Sequence, residues 1–171
     1  MTGAPYEPMP ELDELASGWE GKPLASWGTR VGATLIDWVI LLVPVALIVG
    51  LVIVVAYSSD IGAAAVGLVS TLVYLAAVCL YAPLLMARGG AGNGQTLGKQ
   101  MLGIRVVRDA GVPYDFGTAF LREVIIKGLL FGVVGGWFLA IPTVLDYLWP
   151  LWDDENRCLH DFVASSHVVE S

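Results

Sequence analysis

A carboxylate stands inside a run apolar enough to cross a bilayer, and that conflict constrains the chain more than any other feature. From Leu35 to Tyr57 only Asp37 and Pro44 interrupt the apolar residues. At about 1.5 Å per residue the run reaches roughly 34 Å, the thickness of a hydrocarbon core. A carboxylate about two turns into such a helix is costly unless it is paired, protonated or wetted. Pro44 removes one backbone hydrogen bond and frees the carbonyl of Ile40, one turn back. The turn Ser58-Ser59-Asp60 leads into a second apolar run, Ile61 to Met86, with a tilt or kink expected near Pro83.

A third apolar segment, Val124 to Trp152, supports two readings. It holds Lys127, the pair Gly135-Gly136, Pro142, Asp146 and Pro150. As one helix it crosses once and leaves the C-terminus outside. As two half-length helices broken at the glycines it forms a hairpin with both ends on the cytoplasmic side. The chain therefore reads as an all-α polytopic membrane protein, with two transmembrane helices plus this third segment.

Composition agrees: 56% of residues are hydrophobic and 15% charged, against about 45–50% and 25% in an average soluble domain. The formal net charge of −7 argues against nucleic acid, which needs a concentrated basic face. Lysine and arginine gather in and beside residues 87–127, so that loop and the N-terminus are expected in the cytoplasm. Residues 1–26 are acidic and carry Pro5, Pro8, Pro10 and Pro23, and they read as a disordered cytoplasmic tail. Residues 27–171 form the membrane domain. Ile104–Val107 and His167–Val169 are short β-branched runs, and Arg108-Asp109-Ala110-Gly111 is a turn signal before Val112–Phe116. A small cytoplasmic β element shared by loop and tail needs both on one side of the membrane, which favours the hairpin.

Several local patterns coincide. Arg30 precedes Asp37 by seven residues in Trp-Gly-Thr-Arg-Val-Gly-Ala-Thr-Leu-Ile-Asp. The middle loop reads Gly94-Gln95-Thr96-Leu97-Gly98-Lys99, then Leu102-Gly103-Ile104-Arg105-Val106-Val107. Arg122 opens the third segment, and the tail reads Arg157-Cys158-Leu159-His160-Asp161 before Val168-Val169. Over roughly residues 25–170 the chain resembles the RDD family of bacterial membrane proteins, named for one arginine and two aspartates. The resemblance implies Arg30 and Asp37 as the first two, Asp161 as the third, and the bacterial cytoplasmic membrane as the location. Some members are credited with cation/proton exchange. Ser165-Ser166 departs from the Gly-Thr pair that such proteins commonly carry before the final strand.

Arg30, Asp37, Asp146 and Asp161 are the candidate charge cluster or ion site. Seven residues is about two helical turns, so Arg30 and Asp37 share a face. Asp37 reads either as a titrating cation or proton site or as a structural carboxylate paired with Arg30 or Lys127. Asp146 joins the cluster only if the third segment is a hairpin. Asp161 reads as a cap or a bridge to Arg122 or Arg105. Lys99, Arg105 and Arg122 mark the loop, where Lys99 and Arg105 are expected to attract anionic lipid. Gly128, Gly132 and Gly136 line one helix face, as Ala63, Gly67 and Thr71 do in the second run, and small residues let helices approach in lipid.

Chemistry is harder to find. Gly94–Lys99 fails as a phosphate loop, because Asn93 stands at the first glycine position and Gln100 where Ser or Thr must follow the lysine. Cys79 and Cys158 show no metal-ligand spacing, and His160-Asp161 has no nucleophile beside it. The expectation is a non-catalytic protein without metal or cofactor, its partners the lipid bilayer and other integral membrane proteins or further copies of itself. It would serve as an accessory subunit or, alternatively, as an oligomeric cation/proton exchanger titrating at Asp37.

Overall fold

The computed structural model describes residues 19–57 and 62–171. Two long helices dominate, α1 (Trp27–Tyr57) and α2 (Ala63–Met86). Both are long and apolar enough to cross a membrane. Ser26 caps the first, its Oγ accepting the Thr29 N–H at 3.2 Å. α1 runs through Pro44 and α2 through Pro83 as helix, each proline giving up one ladder bond. Their outer faces remain apolar and open, with Leu47, Leu51, Leu68 and Leu72 all exposed.

The polar half of the fold gathers at one end of this pair. A 3₁₀ turn at Gly90–Gly92 leads to a short helix, α3 (Leu97–Met101), and to strand β1 (Ile104–Arg108). Near the C-terminus α7 (Leu159–Val163) precedes strand β2 (Ser166–Glu170). β1 and β2 pair antiparallel, with Val106 opposite Val168. Loop and tail therefore share one end of the molecule. The run Val112–Phe116 does not pair: Asp115 instead caps α4 (Phe116–Phe120), accepting from the Thr118 N–H at 2.8 Å.

Part of the segment expected to be a disordered tail is ordered. Leu24 bridges to Val169, the Ala25 N–H donates to the Val168 carbonyl at 2.9 Å, and Trp19 stacks on His167 at 4.0 Å. β2 has a free edge, and an unpaired ladder there is satisfied by the chain entering α1. Residues 1–18 of the expected tail, and the turn Ser58-Ser59-Asp60, lie outside the described residues.

The third apolar segment folds back on itself. Its first arm runs from α4 through a π-helical stretch, Leu121–Val134, into α5 (Gly135–Trp137). The return arm is α6 (Ile141–Leu148). The reversal falls at Leu139 and Ala140, both with φ of 58°, and not at Gly135-Gly136. Gly135 is used differently: a Cβ there would stand 2.9 Å from the Thr143 Oγ1, so it lets the arms close on each other. Gly128, Gly132 and Gly136 meet no other helix of the described chain. The buried apolar cluster includes Ala25, Ala33, Met86, Ile104, Val106 and Val168, so the core lies under the sheet and not along α1 and α2.

Candidate functional site

Two polar knots lie at that end. The first surrounds Asp37. Its Oδ1 accepts the Tyr81 hydroxyl at 2.7 Å and the Gly98 N–H at 2.7 Å, and its Oδ2 accepts the Thr96 hydroxyl at 2.5 Å. The sequence offered Arg30 or Lys127 as its partner; the fold gives it neither. The reason is the close seat of the loop: Gly98 lies so near α1 that a Cβ would stand 2.2 Å from the Ala33 carbonyl oxygen. Asp37 thus joins α1, α2 and the start of α3.

The second knot is built on Asp161, which is fully buried. Its Oδ2 accepts Arg30 Nη2 at 2.8 Å and the Cys158 N–H at 3.0 Å, and its Oδ1 accepts Arg122 Nη2. The Cys158 bond is half of a capping box that starts α7. Arg122 Nε donates to the Ser166 hydroxyl at 3.2 Å, and its Nη1 to Glu123. Burial by itself would raise the Asp161 carboxyl. The Arg122 and Arg30 guanidiniums and the Cys158 N–H overcome that and hold it well below the usual carboxylate range.

Asp146 joins this knot from α6 because the hairpin returns it there. Its carboxylate accepts the His160 backbone N–H at 2.8 Å and His160 Nδ1 at 2.8–2.9 Å. On the other side of the ring, Nε2 lies 3.3 Å from Arg122 Nη2. Those two contacts assign a neutral imidazole with its proton on Nδ1. Burial, the largest influence, pushes the His160 pKa below its ordinary value.

Lys99 and Arg105, expected to attract anionic lipid, both have partners within the fold. Lys99 Nζ faces Glu123 at 3.6 Å with its side chain mostly buried, and burial lowers its pKa. Arg105 donates to the Ala91 carbonyl at 3.2 Å and does not reach Asp161. Glu123 pairs with Arg122, Lys99 and Lys127, and sequence reasoning passed over it. The signal was present, since Glu123 and Lys127 are four apart, the spacing of a helical ion pair; the helix type hid a second relation. A π-helix turns about 82° per residue against about 100° in an α-helix, so residues five apart share a face. Arg122 and Lys127 are such a pair.

Cys158, His160 and Asp161 bring potential ligand atoms within 4.8 Å of one another. The set does not fit a cation. Arg30 Nη1 donates to Cys158 Sγ at 3.3 Å, and the two guanidiniums occupy Asp161. Burial pushes the Cys158 thiol up to about 12, so it stays protonated rather than becoming a thiolate. A metal ion would have to displace two arginines.

Two long apolar helices rooted in a buried arginine–aspartate cluster define a membrane protein of the RDD class. The match to the RDD family model spans residues 24–165, and the chain belongs to that family. It is 31% identical over 148 residues to the uncharacterized protein YckC of Bacillus subtilis (strain 168), covering 86% of this chain and 85% of that one. No solved structure matches the chain.

Proposed function

We propose that the protein is a non-catalytic, multi-pass subunit of the cytoplasmic membrane that packs within a larger membrane assembly. On this reading the sheet, the loop and both chain ends face the cytoplasm, and the hairpin enters the bilayer from that side. The observation that carries it is the state of Asp37. Three donors from α2 and the loop already occupy the carboxylate, so it acts as a fastener, not as an exchangeable ion site. The outer faces of α1 and α2, by contrast, expose large apolar side chains along their length. In a bilayer those faces meet lipid or neighbouring helices, whose packing rests on shape and small residues. The exposed stripe of Gly128, Gly132 and Gly136 offers one such surface.

Purification from native membranes in a mild detergent tests this reading. The expected result is stoichiometric recovery with another integral membrane protein, or an oligomer of defined size. Recovery as a lone monomer at native abundance counts against it. Sodium or proton flux above that of empty vesicles, abolished by Asp37→Asn, would favour a cation/proton exchanger instead.

A further inference from the structure

A half-open cleft of about 40 Å³ lies between the start of α1, the loop and the two hairpin arms. By volume it admits a few water-sized groups or one small oxyanion. Its walls include Trp27, Arg30, Lys99, Arg122, Lys127 and Tyr147. Trp27 and Tyr147 are themselves joined, the indole N–H donating to the Tyr147 carbonyl at 2.8 Å.

The cations here exceed their partners. Arg30, Lys99, Arg122 and Lys127 line the cleft, and among the described residues their ion pairs go to only two carboxylates, Asp161 and Glu123. Asp146 is engaged by His160, and Asp37, near Lys99, by hydroxyl and backbone donors. The donors are also underused. Lys99 Nζ stands 3.6 Å and Lys127 Nζ 3.7 Å from Glu123 oxygens, beyond hydrogen-bonding distance. Arg30 Nε is buried and, among the described residues, has no acceptor. A buried donor left without a partner costs about 1–3 kcal/mol, so such groups normally meet a ligand or water.

We propose that this cleft binds a phosphate oxyanion through the Lys99 and Lys127 ammoniums, with the Arg30 guanidinium in its wall adding positive charge. A phosphate supplies several acceptor oxygens to converging donors, and its negative charge balances the local excess of cations. A divalent cation would be repelled by the same groups. The aromatic pair in its wall suits the level of lipid headgroups, where Trp and Tyr concentrate. The phosphate is therefore either that of an anionic lipid or a free one. The site stands independently of the subunit reading, since no partner protein contributes to it.

The test uses the full-length protein. In non-ionic detergent it is titrated with inorganic phosphate and followed by ³¹P line width. In parallel, its thermal midpoint is measured in nanodiscs of phosphatidylcholine alone and of phosphatidylcholine mixed with phosphatidylglycerol. Saturable broadening identifies free phosphate as a ligand; stabilisation confined to the phosphatidylglycerol discs identifies a headgroup. Either response should weaken about tenfold in Lys127→Gln and persist in Lys127→Arg. Absence of both responses in the wild type overturns the proposal, as does an equal response in folded Lys127→Gln. Should that variant fail to fold, acetylation of Lys127 in the wild type is followed by mass spectrometry. Slowing by phosphate or phosphatidylglycerol supports the site, and an unchanged rate overturns it.

Discussion

Arg30 and Asp161, 131 positions apart, meet through Nη2 and Oδ2 at 2.8 Å with both side chains buried. Arg122 reaches the other oxygen of the same carboxylate, so one acid holds two guanidiniums and ties the first helix, the hairpin and the C-terminal sheet together. Breaking a buried pair on one side leaves charge stranded, which costs about 3–5 kcal/mol. Asp161→Asn is expected to lose that much, seen as a large fall in thermal midpoint in mild detergent. The part-buried pair Arg157–Asp153 provides the comparison: with solvent still reaching both side chains, Asp153→Asn should cost less, about 1.5 kcal/mol.

The Asp37 knot predicts a stability effect without a transport effect. Tyr81→Phe and Thr96→Val each remove one hydrogen bond to a charged acceptor, a loss of about 1.5–3 kcal/mol. Denaturation should report both losses, while sodium flux in reconstituted vesicles stays at the level of empty ones. A flux that responds to either variant contradicts the fastener role.

Two glycines are required by space and a third is not. At Gly94, φ is +73° and an added Cβ would stand 2.0 Å from the Val106 carbonyl oxygen; at Gly98 the Ala33 carbonyl oxygen is 2.2 Å away. Alanine at either should cost about 3 kcal/mol and reduce the folded yield. Gly90 has φ of +65° with open space around it, so Gly90→Ala should cost only about 1–2 kcal/mol, the conformational penalty.

Ser165 offers the opposite prediction. Its φ is 47°, a left-handed turn that disfavours a side chain, at the position where the family commonly carries glycine. Ser165→Gly should raise stability by about 0.5–1 kcal/mol, the relieved strain partly offset by chain entropy. A lower thermal midpoint would contradict this. Ser166 keeps the hydroxyl of the usual threonine, and that hydroxyl accepts from Arg122.

Acid should act in two steps. Because burial lowers the His160 pKa, the unfolded chain binds more protons than the folded one below the ordinary histidine value of about 6.5. Stability then falls as pH drops from about 7 towards 5. Asp161, held below its ordinary value, contributes fully above about 3.9 and is lost only as pH falls towards its folded value. Thermal midpoints against pH should show the first step in the wild type and lose it in His160→Asn.

Much of the fold was legible. Hydropathy located α1 and α2, and β-branched runs located β1 and β2 to within a residue or two. Expected pairing of those strands favoured the hairpin over a single span, because loop and tail cannot meet across a bilayer. Three things were not legible. Pairing of Leu24 and Ala25 with the sheet depends on an open edge that no local pattern reveals. Partners of Asp37 depend on how closely the Gly98 backbone approaches α1. The face shared by Arg122 and Lys127 depends on helix type, and reading by α-helical period separates them.

Local chemistry alone determined that two helices suit a bilayer and that Arg30, Asp37, Asp146 and Asp161 needed partners, because burying a charge is costly wherever it happens. Only the tertiary structure decided which partners they found. Arg30 and Asp37 lie on one helix face, yet they stand two turns apart, about 10 Å along the axis, and separate parts of the chain pack at each level. The same rule of charge compensation therefore has two solutions within one helix, hydroxyl and backbone donors for Asp37 and a buried carboxylate for Arg30.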